Sequence, residues 1–220
     1  MFRVRRPLCR AAPRGRHRAA AKNCCVDPTG ANKISFQHCV SCSSDGGPSN
    51  TQRHHDIARS LGDACTGAGI VATYESRRAG DGTTGVDLFV TLDGQRIAAD
   101  ITVVNPRAKT HIKNTLKKAG SAMVDAAKVK SARYKDMYDA DGSVLMTLAF
   151  ETSGAMGDGT KAFWNRLQSH IDNSAALPTF PKTYTTPTYI SYMKSAVAVK
   201  LATWNARAVK NCITRANKRQ

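Results

Sequence analysis

The stretch GVDLFVTLDGQRIAADITVVNP, residues 85 to 106, predicts the centre of the fold. Two apolar segments flank Asp93-Gly94, a pair typical of a two-residue β-hairpin turn. Each arm of the hairpin contains one acidic residue, Asp87 in the first and Asp100 in the second. Counting outward from the turn places the two aspartates directly opposite each other.

Carboxylates in that arrangement are only about 5 Å apart and repel each other. The same strand face also carries Phe89 and Val104, so it is substantially apolar and a poor place for two unpaired charges. A divalent cation with oxygen ligands, Mg²⁺ or Mn²⁺, would compensate. The alternative is that the aspartates pair with Arg77-Arg78 or with lysines, or lie in solvent at the strand ends.

The segments around the hairpin predict an α/β domain in which helices flank a central sheet. The predicted elements are a helix from Asn50 or Thr51 to the glycines at 67 and 69, a strand over 70–75, a helix over about 110–138, a strand over 145–150, a helix ending near 172 and a last helix over about 190–216.

Composition divides the chain into five segments. They are a basic arm (1–21), a Cys/His loop (22–50), the α/β domain (51–172), a proline-containing linker (173–189) and a basic C-terminal helix (190–220). The whole chain carries a net charge of +17, but residues 27–172 hold 17 Lys/Arg against 16 Asp/Glu, so the excess lies at the two ends. Basic ends of this kind favour a polyanionic partner, DNA first and RNA second.

One stripe of the helix predicted over 110–138 changes character along its length. Five apolar residues at helical spacing are followed, at the same spacing, by two cationic residues. The full stripe is Ile112, Leu116, Ala119, Met123, Ala126, Lys130 and Arg133. This spacing aims Lys130 at the sheet, where it either meets the aspartates or extends along the apolar surface towards solvent. Lys128 and Lys135 fall mainly on other faces and, with Arg133, are candidate phosphate contacts.

Two acids on adjacent strands with a lysine nearby resemble the restriction-endonuclease-like PD-(D/E)XK nucleases. More specifically, the chain resembles the endonuclease region at the C-terminal end of non-LTR retrotransposon polyproteins, in which a Cys/His zinc motif precedes the nuclease. The resemblance covers about residues 24–170 and, more weakly, the last helix. Its matching segments are VDPTG, HCVSC, RHHDIARSL, GVDLFV, AADITVVNP, KVKSARY, FETSG and FWNRL.

The resemblance implies a PD-(D/E)XK-like core with a mixed central sheet, and it implies a role for each matching residue. Asp87 matches the first acid and Asp100 the second, and together they would hold Mg²⁺ or Mn²⁺. Thr102 stands where ordinary members have their lysine, and Lys130 is the best match for a lysine moved onto the following helix. Glu75 would be an accessory acid. At the end of its strand, Glu151 would be another or would satisfy backbone amides.

The activity implied is metal-assisted nicking of DNA, which in such elements exposes a 3′ hydroxyl that primes reverse transcription. Because 220 residues leave no room for a reverse transcriptase, the chain is expected to be a fragment or remnant of a longer element. The alternative is a catalytically inactive remnant that only binds nucleic acid. Cutting both strands would favour a homodimer.

A cluster of metal-ligand residues precedes the domain, and it consists of Cys24, Cys25, His38, Cys39 and Cys42. The spacing His38-x3-Cys42 is typical of the zinc motif of the family, and a subset of the cluster would bind a structural Zn²⁺. Adjacent cysteines cannot easily both bind one tetrahedral ion, so Cys9 or His54 is a candidate fourth ligand. The alternatives are free thiols in a degenerating loop and, for His54 or His55, a cap on the sheet.

No apolar run approaches the roughly 20 residues of a bilayer span, so no membrane association is expected. Seven cysteines in an uneven, odd-numbered pattern without a secretory signal favour an intracellular and, for a DNA enzyme, nuclear protein. The Arg- and Ala-rich residues 1–21 leave organelle targeting as an alternative. Cys65 and Cys212 lie on helical faces and are expected to be packing residues.

Overall fold

The structure is a computed structural model that describes residues 36–41, 48–74, 85–140, 142–175 and 177–217. Six helices and four strands form this part of the chain. In chain order they are α1 (Phe36–Ser41), α2 (Pro48–Gly67), β1 (Ala72–Tyr74), β2 (Leu88–Leu92), β3 (Gln95–Val104), α3 (Ile112–Lys117), α4 (Ser121–Asp139), β4 (Val144–Glu151), α5 (Asp158–Asp172) and α6 (Tyr189–Asn217).

The four strands form one open mixed sheet in the order β1-β2-β3-β4. The first three strands pair antiparallel, and β4 pairs with β3 in parallel. A parallel neighbour requires a crossover connection, which α3 and α4 supply. The α/β class predicted from the sequence is therefore confirmed.

The hairpin turn determines how β2 pairs with β3. Asp93 and Gly94 adopt φ angles of 51° and 76°, so both lie in the left-handed region that a two-residue turn of this kind requires. Val90 lies opposite Ile97, which is the register predicted by counting from the turn. Leu88, Val90 and Leu92 consequently share one buried face.

That face of the sheet packs against α2, α5 and α6 and forms the main core. Its largest side chains include Trp164 and Phe163 of α5 and Leu61 of α2. The C-terminal helix contributes Leu201 to the same core, and the hydroxyl of Tyr189 donates a hydrogen bond to the Ala64 carbonyl (2.9 Å). The helix α6 thus packs on the central domain.

The opposite face of the sheet packs against α4. Tyr134 and Tyr138 are buried there beside Ala98, and the backbone N–H of Val86 donates to the Tyr138 hydroxyl (2.9 Å). Because side chains alternate along β3, Asp100 lies on the same face as Ala98. The helix α4 is therefore the element that covers Asp100.

The single helix predicted over 110–138 is wrong, because the chain forms two helices interrupted at Gly120. The first helix ends at Lys117 and the second begins at Ser121, and Gly120 between them has a φ of +78°, a left-handed conformation that redirects the chain. Ile112 and Leu116 are consequently 38 % and 82 % exposed, so the first half of the predicted stripe does not face the core. In the second half Lys130 does face the sheet, whereas Arg133 is exposed.

Other element boundaries differ by a few residues from the prediction. The helix α2 begins at Pro48, two residues before Asn50, because proline suits the first helical turn, where its missing N–H costs nothing. The strand predicted over 70–75 is shorter (β1), and the one over 145–150 extends by one residue at each end (β4). No helix in the described ranges has both the length and the apolarity that a bilayer span requires.

Candidate active site

The candidate site lies where β3 continues past the start of β2. The last strand pair joins Leu88 to Ala99, so the backbone of Ile101 has no partner on β2. Buried backbone N–H and C=O groups are nearly always hydrogen-bonded, so other groups must satisfy Ile101. Two side chains do so, one from Asp87 and one from His54 of α2.

Asp87 supplies the acceptor. Its carboxylate Oδ2 accepts a hydrogen bond from the backbone N–H of Ile101 at 2.6 Å. The register of the hairpin would pair Asp87 with Asp100. Instead, the backbone N–H of Asp87 donates to the carbonyl of Ala99 (3.0 Å), one residue earlier on β3. The prediction that Asp87 lies within its strand directly opposite Asp100 is therefore wrong, because the ladder ends at Leu88 and the carboxylate replaces the next strand partner.

His54 supplies the donor. Its Nε2 lies 2.8 Å from the Ile101 carbonyl oxygen and 3.0 Å from Asp87 Oδ2, so one N–H sits between two oxygens. Burial acts to lower the pKa of His54, but the hydrogen bond to Asp87, the charge of Asp87, the Ile101 carbonyl and the charge of Asp100 together raise it above its ordinary value. His54 therefore caps the sheet, as one of the two interpretations of this histidine expects.

Asp100 lies beneath α4 and is only 2 % exposed. Lys130 Nζ donates to its Oδ1 at 3.0 Å, whereas its Oδ2 is buried and has no hydrogen-bond partner. Burial raises the pKa of this carboxyl and the charge of Asp87 raises it further, while the hydrogen bond and charge of Lys130 oppose the shift. The site thus contains a carboxylate that is strongly desolvated and half satisfied.

The fold places Lys130 over Asp100 through the packing of α4. Tyr134 and Tyr138 fix the helix on the sheet one and two turns further along the chain. Lys130 Nζ also lies 5.6 Å from the centre of the Tyr134 ring, and the side chain remains 28 % exposed. Lys130 therefore contacts the buried carboxylate of Asp100 while part of its own side chain remains accessible to solvent. We refer to His54, Asp87, Asp100 and Lys130 together as the acid–lysine cluster.

The donor set of this cluster suits a hard divalent cation. Mg²⁺ binds through one or two carboxylates and takes its remaining ligands from water and phosphate oxygens. Asp87 directly precedes β2 and Asp100 lies on the neighbouring β3, and the Oδ2 of Asp100 has no hydrogen-bond partner that would compete with a metal. Within the described ranges no group of three or more His, Cys, Asp or Glu side chains is arranged around one point, so any metal bound there would depend on non-protein ligands.

Of the remaining residues that the resemblance singles out, the structure describes Glu151 and Thr102. Glu75 falls outside the described residues. Glu151 ends β4 opposite Val104, four residues along β3 from Asp100, and its Oε2 accepts a hydrogen bond from the Ser153 hydroxyl (3.0 Å). Thr102 is half-buried on β3.

The three candidate phosphate contacts are all exposed on α4. The guanidinium of Arg133 lies over the Tyr134 ring, 5.1 Å from its centre, whereas Lys128 and Lys135 project from other positions of the same helix. These three residues therefore form part of a basic surface adjacent to Lys130.

The predicted zinc ligands mostly lie beyond the described ranges. Cys24, Cys25 and Cys42 fall outside them, and for His38 only the backbone, in α1, is described. Cys39 is buried. The zinc site remains a prediction. Cys65 and Cys212 are both fully buried, which agrees with their predicted packing role.

Two residues near the cluster could have received more weight from the sequence. His54 lies on the same helical stripe as Ile57, Ala58 and Leu61, which indicates that it faces the sheet. Thr147 lies beside Asp100 in the β3–β4 register, and its buried Oγ1 has no hydrogen-bond partner. Its position depends on a parallel pairing that no local sequence signal reveals.

Comparisons with known proteins do not assign this chain to a family. No protein-family model matches the chain, and no curated protein matches it. The acid–lysine cluster and the basic surface of α4 are therefore the features that indicate a function for this chain.

Proposed function

We propose that this chain is a metal-dependent DNA endonuclease that nicks phosphodiester bonds and has a PD-(D/E)XK-like core. The observation that carries the proposal is the contact between Lys130 Nζ and Asp100 Oδ1 at 3.0 Å, beside a second carboxylate, Asp87, at the start of the neighbouring strand. Two carboxylates can hold a divalent cation, and a lysine beside them can offset the charge that develops on a phosphate, so this set of groups is suited to metal-assisted phosphodiester hydrolysis.

The arrangement of the strands supports the same proposal. The acids belong to the two arms of an antiparallel hairpin, and β4 adds a parallel strand next to the arm that carries Asp100. Helices cover both faces of the sheet, with α4 on one face and α2, α5 and α6 on the other. A mixed sheet of this kind supports the proposed PD-(D/E)XK-like core, in which Lys130 would take the role of the lysine that ordinary members carry at the position of Thr102.

The side chains have separate roles in the proposed reaction. Asp87 and Asp100 would hold Mg²⁺ or Mn²⁺, which when bound lowers the pKa of a water ligand and offsets negative charge on the phosphate. Lys130 would orient the attacking water or stabilise the charge that develops on the phosphate oxygens. His54 would hold the Asp87 carboxylate in place through its 3.0 Å contact.

The proposed substrate is DNA, with RNA as the second candidate. Lys128, Arg133 and Lys135 are exposed on the helix that carries Lys130, and in the proposed function they would contact phosphates that flank the bond to be cut. The excess positive charge at both ends of the chain would add sequence-independent affinity that falls with salt.

The second candidate function is nucleic-acid binding without cleavage. The observation that favours it is the burial of Asp100, whose one bonded oxygen already has Lys130 as its partner. In that function Lys130 neutralises a buried charge and Asp87 serves only to cap the sheet edge.

Nicking of supercoiled plasmid in Mg²⁺ or Mn²⁺ separates the two functions when DNA binding is measured on the same samples. The wild type should convert supercoiled into open-circular plasmid, and the Asp87→Ala/Asp100→Ala double variant should bind DNA without nicking it. Asp136→Asn, an exposed aspartate on α4, is the matched control and should retain activity. Equal nicking by the wild type and the double variant would leave only the binding function.

A further inference from the structure

A cavity of about 550 Å³ lies between α4, β4 and the start of α5. Its lining includes three lysines, Lys118, Lys128 and Lys161, and apolar side chains such as Met123 and Met156. Neither Asp100 nor Lys130 lines it, so it is separate from the acid–lysine cluster. The cavity therefore combines positive charge with an apolar wall.

Two helices begin at this cavity. Gly120 precedes the 19-residue helix α4 and Gly157 precedes the 15-residue helix α5, and both glycines line the cavity. Neither helix has a side-chain cap. The backbone N–H groups of a first helical turn mostly lack intrahelical partners and attract anions. At the start of α4 two of them are already bonded, Ser121 N–H to the Lys118 carbonyl and Met123 N–H to the Gly120 carbonyl, so it is the first turn of α5 that adds to the charge of the lysines.

Glycine is required where α5 approaches the sheet. A methyl group on Gly159 would overlap the carbonyl oxygen of Thr147, and one on Gly157 would crowd Ala149. The segment Gly157-Asp158-Gly159 can therefore bring the start of α5 directly onto β4. This close approach places the first turn of α5 beside Thr147.

Thr147 provides an independent indication of a ligand. This residue lines the cavity from β4 and is only 8 % exposed, and its buried Oγ1 has no hydrogen-bond partner. A buried hydroxyl without a partner is unfavourable and uncommon in folded proteins. A ligand oxygen entering the cavity would accept this hydrogen bond after a rotation of the side chain.

Asp158 modulates the charge at the mouth of the cavity. Its carboxylate lies 3.2 Å from Lys161 Nζ, and both side chains are largely exposed. This ion pair neutralises one of the three lysines that line the cavity. An incoming anion would compete with Asp158 for Lys161.

We propose that this cavity is a phosphate-binding site. Lys128, Lys161 and the first turn of α5 bind the phosphate, Thr147 donates to one of its oxygens, and the apolar wall receives the attached sugar or base. The phosphate belongs either to a nucleic-acid strand or to a free nucleotide, which share this chemistry.

The test measures binding of three probes to the full chain without divalent metal: inorganic phosphate, deoxyadenosine monophosphate and a short DNA duplex. Titration calorimetry should detect the two small probes, and Lys128→Gln/Lys161→Gln should weaken their binding by about tenfold or more. Thr147→Val should weaken it severalfold, because valine keeps the shape and lacks the hydroxyl. Asp158→Asn should strengthen it severalfold, since it removes the competing carboxylate.

Lys135→Gln/Lys210→Gln removes the same number of charges from exposed positions outside the cavity lining and is the matched control. Loss of duplex binding in the Lys128/Lys161 double variant, beyond that of the control, would identify a nucleic-acid strand as the source. Unchanged duplex binding with weakened mononucleotide binding would identify a free nucleotide. The proposal is overturned when wild type binds neither small probe, or when the double variant and the control bind them equally. These outcomes do not depend on whether the chain nicks DNA.

Discussion

Lys130 and Asp100 form an ion pair of 3.0 Å between a helix and the strand beneath it, thirty residues apart in the chain. The pair lies next to Asp87 and His54, which satisfy the backbone of Ile101 where β2 ends. Stability and proposed catalysis therefore depend on the same four side chains, and separate measurements can distinguish the two contributions.

Lys130→Met should reduce nicking by about 10²- to 10³-fold, the usual effect of removing one group that stabilises charge in a transition state. DNA binding should stay within about twofold of wild type, because Lys130 is one of many cations on this surface. Single-turnover nicking and a binding titration on the same duplex would measure both. Lys135→Met is the matched control. If Lys130→Met lowered DNA binding and nicking by the same factor, Lys130 would contribute only a phosphate contact and no catalytic role.

His54→Ala should lower the free energy of unfolding by about 1–3 kcal/mol, because it leaves the Ile101 carbonyl without its side-chain donor. Urea denaturation of the metal-free protein would measure the change. His55→Ala alters an exposed neighbour and should change stability by less than about 0.5 kcal/mol. Equal effects of the two substitutions would contradict the capping role.

The contribution of His54 to stability should depend on pH. Its pKa in the folded chain is raised above the ordinary value of 6.5, so the protonated form is favoured by folding. The added stability is fully present below 6.5 and is lost as pH rises through the folded-state pKa. In metal-free protein the difference in unfolding free energy between wild type and His54→Gln should therefore shrink with rising pH, and a constant difference would oppose this account.

Asp100→Asn should stabilise the metal-free protein at neutral pH. Burial raises the pKa of Asp100, so its ionised form is disfavoured in the fold and costs stability once pH exceeds the ordinary value of 3.8. Thermal unfolding in a chelator should show a higher Tm for the variant. Added Mg²⁺ should raise the Tm of wild type and of Asp136→Asn but not of Asp100→Asn, since only a ligand that binds the folded state stabilises it.

Local sequence signals were sufficient for the hairpin. Asp93-Gly94 determines the turn type, and a two-residue turn then fixes the pairing of Val90 with Ile97. The position of Lys130 followed from helical spacing, because Met123 and Lys130 lie on the part of the stripe that forms one unbroken helix. In both cases the relevant geometry extends over fewer than ten residues.

The features that sequence reasoning missed depend on distant parts of the chain. Asp87 leaves the ladder because His54, 33 residues earlier, completes the capping of Ile101. The helix break at Gly120 was missed because the apolar pattern continues across this residue and contains no information on its φ angle. Thr147 lies beside Asp100 only because β4 returns in parallel.

The most direct test of the central claim is the rate of Mg²⁺-dependent nicking of supercoiled plasmid by wild type, Asp100→Asn and the control Asp136→Asn, at protein concentrations that saturate DNA binding. The account predicts nicking by wild type and Asp136→Asn at similar rates, and a loss of at least about 10²-fold in Asp100→Asn. Nicking that is absent from wild type, or that is equal in all three proteins, would contradict it.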